Sequence, residues 1–415
     1  MSNRRSASLA LRRILPWLAF KKPSTLMLET FSDAVKTGQM TIQLPNGSTH
    51  SLGRHPIDAE GREHRGVMKI KSWSMVRKSL MGGDVGFAEA YMDGDWDSPD
   101  LTALLTMLCL NEVEGSARWQ ASGPFRLYHH LQHRRRANTK RGSRRNIAAH
   151  YDLGNAFYTQ WLDPTMSYSA AVFSDDTQPL KEAQDAKLRR VCETLDLKPG
   201  MTLLEIGCGW GGLAEMAARD FGVHVTGITL STEQAAFARE RAKRAGLEDR
   251  IDIRLQDYRD LDGRFDRIAS IEMFEAVGEE NWPTYFETLS RHLKPGGLAQ
   301  LQIITIAEDR FPVYREGADF IQRYIFPGGM LPPPGRVVAG AAAHGLELED
   351  DFVFGRDYAK TLNHWQQTFQ HNWPAIKALG FDDRFKRMWE YYLAYCEAGF
   401  LTGACDVHQY LLRKA

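Results

Sequence analysis

The sequence predicts an α/β protein: a doubly wound parallel sheet with helices on both faces over residues 147–415, behind a smaller, mainly helical domain over residues 1–132. Three observations predict it. After residue 180, short apolar runs alternate with stretches of helical period, the rhythm of a parallel sheet whose crossovers are helices. The first of those runs ends in a glycine-rich turn, Gly207-Cys208-Gly209-Trp210-Gly211-Gly212. A chain of 415 residues also exceeds what one compact core ordinarily holds, so a second domain is expected.

At the start, Arg4, Arg5, Arg12 and Arg13 surround a short apolar run, Ile14 to Phe20, that contains Pro16 and is followed by Lys21 and Lys22. It lacks a small-residue cleavage site, so it reads as a surface-lying basic arm and not as a signal peptide. Met40 to Leu44 alternates like a strand, and Pro45-Asn46-Gly47 is a turn signal. Ser72 to Met107 has helical character, interrupted by Asp93-Gly94-Asp95-Trp96. No catalytic constellation occurs in this part, whose apolar helices read as core or as the contact of a homodimer.

A basic linker is expected over residues 133–146, carrying Arg134-Arg135-Arg136 and Lys140-Arg141-Gly142-Ser143-Arg144-Arg145 without an apolar period. It reads either as a solvated connection or as a contact with an anionic membrane surface, where each basic residue contributes roughly 1 kcal/mol. Nucleic acid is not the expected partner, because no stacking aromatics are interleaved there.

In the second domain, Leu180 to Leu195 has helical spacing and is stopped by Lys198-Pro199-Gly200. Strands are expected at Thr202–Ile206, His224–Ile228, Ile251–Leu255, Asp266–Ile271 and Gly297–Ile306, with helices at Leu213–Phe221 and Ser231–Ala245. The glycine turn thus stands at the carboxyl end of the first strand, where sheets of this kind bind ligands. Its G-x-G-x-G-G spacing differs from the G-x-G-x-x-G of dinucleotide binders.

Composition narrows the class. Net charge is zero, so no global field draws an anionic partner. The five cysteines show no metal or disulfide spacing, which suggests a reducing cytoplasm. No stretch reaches the ~20 apolar residues that span a bilayer.

The run Leu203-Leu204-Glu205-Ile206-Gly207-Cys208-Gly209-Trp210-Gly211-Gly212 resembles the first cofactor motif of class I methyltransferases. More narrowly, its Gly-Cys-Gly-Trp-Gly resembles the cyclopropane-fatty-acyl-phospholipid synthase family, which includes the mycolic acid cyclopropane synthases. The likeness continues in order through His150-Tyr151-Asp152-Leu153-Gly154-Asn155, Leu162 to Ser169, Gly227 to Gln234, Gln256 to Asp260, Met273-Phe274-Glu275, Phe326 to Pro332 and Asp357 to Leu362. It covers residues 146–410 and matches the N-terminal part only loosely.

The resemblance implies a class I methyltransferase, Rossmann-like sheet and S-adenosylmethionine as methyl donor. Its acceptor would be the cis double bond of an unsaturated phospholipid acyl chain, methylated through a carbocation to give a cyclopropane. The alternative is methylation without ring closure, to a methyl-branched, methylene or furan-precursor chain; a small polar metabolite is a more distant reading. Such an enzyme would be cytoplasmic and lie against the inner face of the membrane. Tyr168 and Ser169 would contact the methionine end of the donor, above a floor of Leu203, Glu205, Gly207, Cys208, Gly209, Trp210 and Gly211. Thr229, Ser231 and Gln234 would reach the ribose, and Asp257 with Tyr258 would border the adenine. Tyr168, Phe274 and Tyr358 are candidate aromatic walls for the cation.

Members of that family hold a bicarbonate ion as base. Its glutamate, isoleucine and tyrosine contacts match Glu275, Ile304 and Tyr358, whereas the family's cysteine and histidine are Ala170 and Gln302 here. A backbone contact survives at Ala170. Gln302 donates without charge, and a charge-assisted bond is roughly twice as strong, so bicarbonate binding should weaken. Glu272 and Glu275 are three residues apart, but two carboxylates alone do not make a glycoside-cleaving pair.

Overall fold

The computed structural model describes residues 23–55, 57, 61–115 and 153–415. The basic arm over residues 1–22 and the basic linker over residues 133–146 lie outside the described residues. The chain forms two compact units, Met1–Phe125 and Arg126–Ala415.

The first unit places the helices Pro23–Ala34, Ser74–Met92 and Leu101–Gly115 with β1 (Gly38–Gln43), β2 (Thr49–His55), β3 (Arg65–Ile70) and β4 (Trp96–Asp97). These strands make a four-stranded sheet in the order β2-β1-β3-β4. Met40 and Ile42 on β1 are fully buried while Gln43 is exposed, the alternation expected of a sheet with one covered face. The buried Trp96 indole donates to the Phe87 carbonyl at 3.0 Å and packs on Phe87 and Tyr91. Only β1 was legible beforehand, because glycine and basic residues interrupt the apolar pattern of Thr49–His55 and Arg65–Ile70.

In the second unit β5 (Thr202–Ile206), β6 (His224–Thr229), β7 (Ile251–Leu255), β8 (Phe265–Ile271), β9 (Leu293–Ile306), β10 (Leu346–Val353) and β11 (Cys405–Lys414) form a seven-stranded sheet. Its order is β10-β11-β9-β8-β5-β6-β7. Pairing is parallel from β9 through β7, and antiparallel where β11 joins β9 and β10. The expected sheet is therefore correct in its parallel part and gains two further strands, the reversed β11 beside β9 and β10 at the edge. The acidic, mostly exposed Leu346–Val353 and the polar Asp406, His408 and Gln409 of β11 hid them.

Alternate residues of β5 serve opposite layers: Leu203 joins the cluster with Leu188, Val191 and Leu213, and Leu204 the cluster with Phe274, Trp282 and Phe286. Burial on both faces is what makes such strands read as continuous apolar runs. The chain moves outward from β5 to β6 and β7, then returns to the other side of β5 with β8. That reversal makes the carboxyl ends of β5 and β8 the topological switch point, the usual ligand position in such sheets. Among the described residues no helix is long and apolar enough to cross a membrane.

Candidate active site

The turn after β5 is pinned by the N–H groups of Gly207 and Cys208, which both donate to the Ile228 carbonyl at 3.0 Å. Gly207 has φ 84°, and a Cβ there would lie 2.9 Å from Met273 Cγ. Gly211 has φ 83°, and its Cβ would press on Ala238 at 3.0 Å. Both positions exclude side chains by conformation and by space. The helix Gly212–Phe221 starts directly afterward, without a side-chain cap.

Beneath this turn lies a set of buried charges. Glu205, on β5, has Oε2 buried with no hydrogen-bond partner among the described residues. Burial pushes its carboxyl up to about 8, against the pull of Lys187. Lys187 is itself 1% exposed; burial pulls its ammonium down to about 8, opposed by Glu272, Asp163 and Glu205. Lys187 Nζ donates to Ser169 Oγ at 2.8 Å, and Gln184 Nε2 donates to the Ser169 carbonyl at 2.8 Å. The segment Tyr168-Ser169-Ala170 is thus tied to the helix Leu180–Thr194. Lys187 and Gln184 escaped the sequence reading, although both occupy that helix's buried face with Ala183, Leu188 and Val191.

Past β6, Ser231 Oγ caps the helix Thr232–Arg244 by accepting from the Gln234 N–H. Thr229 Oγ1 donates to Gln234 Oε1 at 2.8 Å, so the amide nitrogen is the donor Gln234 can offer a ligand. Asp257 accepts from the Arg259 N–H, Nε and Nη2 at 2.7–3.0 Å. Its carboxylate is therefore already engaged as a loop cap and ion pair. Tyr258 packs edge-on against Tyr285.

A second polar group closes the other side. Glu272 follows β8 with φ 49°. Its Oε1 accepts from the Ala170 N–H and from Gln302 Nε2, both at 2.8 Å, and its Oε2 accepts from the Tyr358 hydroxyl at 2.7 Å. The Gln302 orientation is determined by a chain: Arg190 Nε donates to Gln409 Oε1 at 3.1 Å, and Gln409 Nε2 donates to Gln302 Oε1 at 3.0 Å. A guanidinium only donates, so each amide downstream must turn its NH₂ toward Glu272.

Glu275 stands apart from that group. Its Oε1 accepts from the Ile304 N–H at 2.5 Å, and its Oε2 is buried without a partner among the described residues. Burial and the neighbouring Glu272 push its carboxyl up to about 8. The five residues expected to surround one anion therefore divide. Ala170, Gln302 and Tyr358 converge on Glu272, and Ile304 alone holds Glu275. Glu272 was passed over because its relation to the other three is set by tertiary packing.

The aromatic residues divide too. Tyr168, Trp365 and Tyr358 form a row with centroids 5.4 Å and 6.1 Å apart, and the Tyr168 hydroxyl shares a 2.7 Å bond with Tyr392. Phe274 is not part of it. Its ring is 1% exposed and packs in the core on Trp282, Tyr285 and Phe286.

An orphaned buried acceptor at Glu205, on the strand that runs into the glycine turn, fits a ligand carrying ammonium donors. S-adenosylmethionine is such a ligand. Bicarbonate does not fit in the same way, since the Ala170, Gln302 and Tyr358 donors already serve Glu272.

Comparison with known proteins agrees with this architecture. The family model described as mycolic acid cyclopropane synthetase matches residues 138–410. The chain is 41% identical to tuberculostearic acid methyltransferase UfaA1 of Mycobacterium tuberculosis, covering 98% of this chain and 91% of that protein. It is 39% identical to the cyclopropane-fatty-acyl-phospholipid synthase of Escherichia coli, covering 86% and 92%. Among solved structures, mycolic acid cyclopropane synthase CmaA1, complexed with SAH and CTAB, superposes with a TM-score of 0.61 at 34% identity, over 65% of this chain and 98% of that one. A glycine turn with buried charges beneath it, on this sheet and with these relatives, makes the chain an S-adenosylmethionine-dependent methyltransferase belonging to the mycolic acid cyclopropane synthetase family.

Proposed function

We propose that this enzyme methylates the cis double bond of an unsaturated phospholipid acyl chain and that the product is a cyclopropane fatty acyl phospholipid. The observation that carries the reading is the aromatic row Tyr168, Trp365 and Tyr358, which ends in a hydrogen bond to the Glu272 carboxylate. Tyr168, the half-buried member with Trp365 and Tyr358 buried behind it, offers an aromatic surface near a carboxylate, which suits an apolar substrate that becomes cationic and must then lose a proton. The name of the Escherichia coli relative supports the substrate class.

The bound donor supplies an electrophilic methyl group. For its binding we assign Tyr168 and Ser169 to the methionine end, the Leu203–Gly211 turn as floor, Thr229, Ser231 and Gln234 to the ribose, and Asp257 with Tyr258 to the adenine. Lys187 and Gln184 hold the Ser169 segment in place for this. An isolated alkene is a weak nucleophile, so fixed alignment of the reacting atoms is the main source of acceleration. The Tyr168 ring then stabilises the cation by ~0.5–2 kcal/mol, and a dry surrounding prevents its hydration.

A second reading, methylation without ring closure, is favoured by the relative named a tuberculostearic acid methyltransferase. Both outcomes share the first step and differ in where the proton leaves. For access to lipid we propose peripheral association with an anionic inner membrane face through the basic stretch at residues 133–146.

Expression in a host lacking its own synthase, followed by mass spectrometry and NMR of the lipids, tests the reading. Ring protons support cyclopropanation, and a methyl or methylene branch supports the second reading. Unchanged lipids remove both.

A further inference from the structure

We propose that Glu272 is a built-in base that replaces bicarbonate: its carboxylate occupies the donor cage of Ala170, Gln302 and Tyr358 and takes the proton lost after methyl transfer. The inference rests on the acyl-methylation reading above.

The cage comes from three separate elements. Ala170 belongs to the segment tied to Lys187, Gln302 to β9, and Tyr358 to the helix Gly355–His371. Donors from distant parts of the chain that converge on one point define an anion seat. Here the anion is covalently part of the loop. Holding it there requires φ 49° at Glu272, a left-handed conformation that costs a non-glycine residue of order 1 kcal/mol or more. The adjoining Met273 packs where a Gly207 side chain would stand, so the strained residue adjoins the cofactor turn.

The departures at Ala170 and Gln302 become intelligible together. A free anion must be captured from solution, and a charged donor favours that. A tethered carboxylate is already present at high effective concentration, so the neutral amide of Gln302 and the backbone N–H of Ala170 suffice. The chain Arg190, Gln409, Gln302 keeps that amide donating toward Glu272.

The carboxylate also retains basicity and access. Two bonds terminate on Oε1 and one on Oε2, which leaves Oε2 a lone pair. Glu272 is only partly buried. Desolvation raises its proton affinity, opposed by Tyr358, Ala170, Gln302 and Lys187. Glu275, held by backbone N–H groups alone, is pushed up to about 8 by burial and by Glu272. Two carboxyls three residues apart are thus held differently, Glu272 by three donors from separate segments and Glu275 by backbone N–H groups alone.

In the step itself a C–H bond of the transferred methyl breaks. Its electron pair forms the closing C–C bond of the ring, cancelling the cation, and the proton passes to Glu272 Oε2. The products are a neutral acyl chain and a carboxylic acid, which releases its proton to solvent as the site empties.

The test uses the full chain with vesicles of unsaturated phospholipid, in carbonate-free buffer and with added bicarbonate. Binding of [¹³C]bicarbonate is followed by NMR on wild type, Glu272→Gln and Glu272→Gly. We expect wild-type turnover to be indifferent to bicarbonate and no binding of the labelled ion. Glu272→Gln should lose on the order of 10²–10⁴-fold in turnover while donor affinity by calorimetry stays within threefold. Glu272→Gly should bind the labelled ion and regain part of its lost turnover when it is added. Should that variant not fold, the wild-type and Glu272→Gln measurements decide. A wild type that binds or needs bicarbonate, or a fully active Glu272→Gln, overturns this inference alone. A wild type yielding no methylated lipid under any condition overturns the acyl-methylation reading, and this inference with it.

Discussion

The ammonium of Lys187 donates to Ser169 Oγ at 2.8 Å from a position that is 1% exposed. A buried cation is costly unless opposite charges surround it, and here Glu205, Glu272 and Asp163 all favour its protonated form. Lys187 therefore links the Ser169 segment electrostatically to both Glu205 and Glu272.

Replacing Lys187 by Met keeps most of the stem's packing and deletes the donor. Ser169 Oγ then loses this partner, and Glu205 and Glu272 lose the cation that opposes their desolvation. We expect a loss of about 1–3 kcal/mol in urea denaturation, together with weaker donor binding by calorimetry. Stability and affinity equal to wild type would show that Lys187 has no such part.

Glu205→Gln should separate binding from folding. The buried Oε2 has no partner among the described residues, so the substitution should leave the donor-free protein as stable as wild type or more so. A cationic ligand should lose a charge-assisted bond, of roughly 1.5–3 kcal/mol, which corresponds to a ten- to hundredfold rise in dissociation constant. Calorimetric titration with S-adenosylmethionine checks this directly, and unchanged affinity would remove Glu205 from the binding set.

The pH dependence has a definite sign. Glu275 in the folded protein keeps its proton up to about 8, raised from its ordinary 4.5 by burial and by Glu272. Between those values the unfolded chain releases a proton that the folded chain holds. This contribution to stability is complete below pH 4.5 and is lost as pH rises toward 8, with a slope of at most ~1.4 kcal/mol per pH unit. Glu275→Gln removes it. Melting temperatures measured without donor from pH 5 to 8 should therefore fall less steeply in the variant, and parallel curves would contradict the assignment.

What the sequence disclosed and what it concealed follow from how each feature is encoded. β5 to β8 were legible because strands covered on both faces are short apolar runs, and the ligand turn because Gly207 and Gly211 need conformations that few other residues adopt. The polar cage was not. Gln184 and Lys187 on one helix, Glu272 after β8 and Gln409 on β11 acquire meaning only when the sheet brings them together. Phe274 illustrates the converse, since an aromatic beside a catalytic motif can as readily face the core. Asp257 pairs with Arg259, a local partner two residues away.

Gln409 offers the sharpest test of positioning, because it reaches Glu272 only through Gln302. It is fully buried on β11, between the Arg190 guanidinium and Gln302. In Gln409→Leu, Gln302 loses the donor that fixes its amide, and a flipped amide would direct its carbonyl oxygen at the Glu272 carboxylate. Repulsion there would move Glu272 out of register or raise its proton affinity, and either effect acts on the chemical step and not on donor binding. We expect kcat to fall roughly tenfold, since about 1.4 kcal/mol of lost orientation corresponds to that factor, while the KM for S-adenosylmethionine stays within twofold. A purely structural role would instead lower stability and change both constants together. Gln302→His in the Gln409→Leu background should restore part of kcat, because an imidazole donates to Glu272 without needing an amide partner to orient it. Equal kcat in Gln409→Leu and wild type would break the chain of inference from Arg190 to the carboxylate.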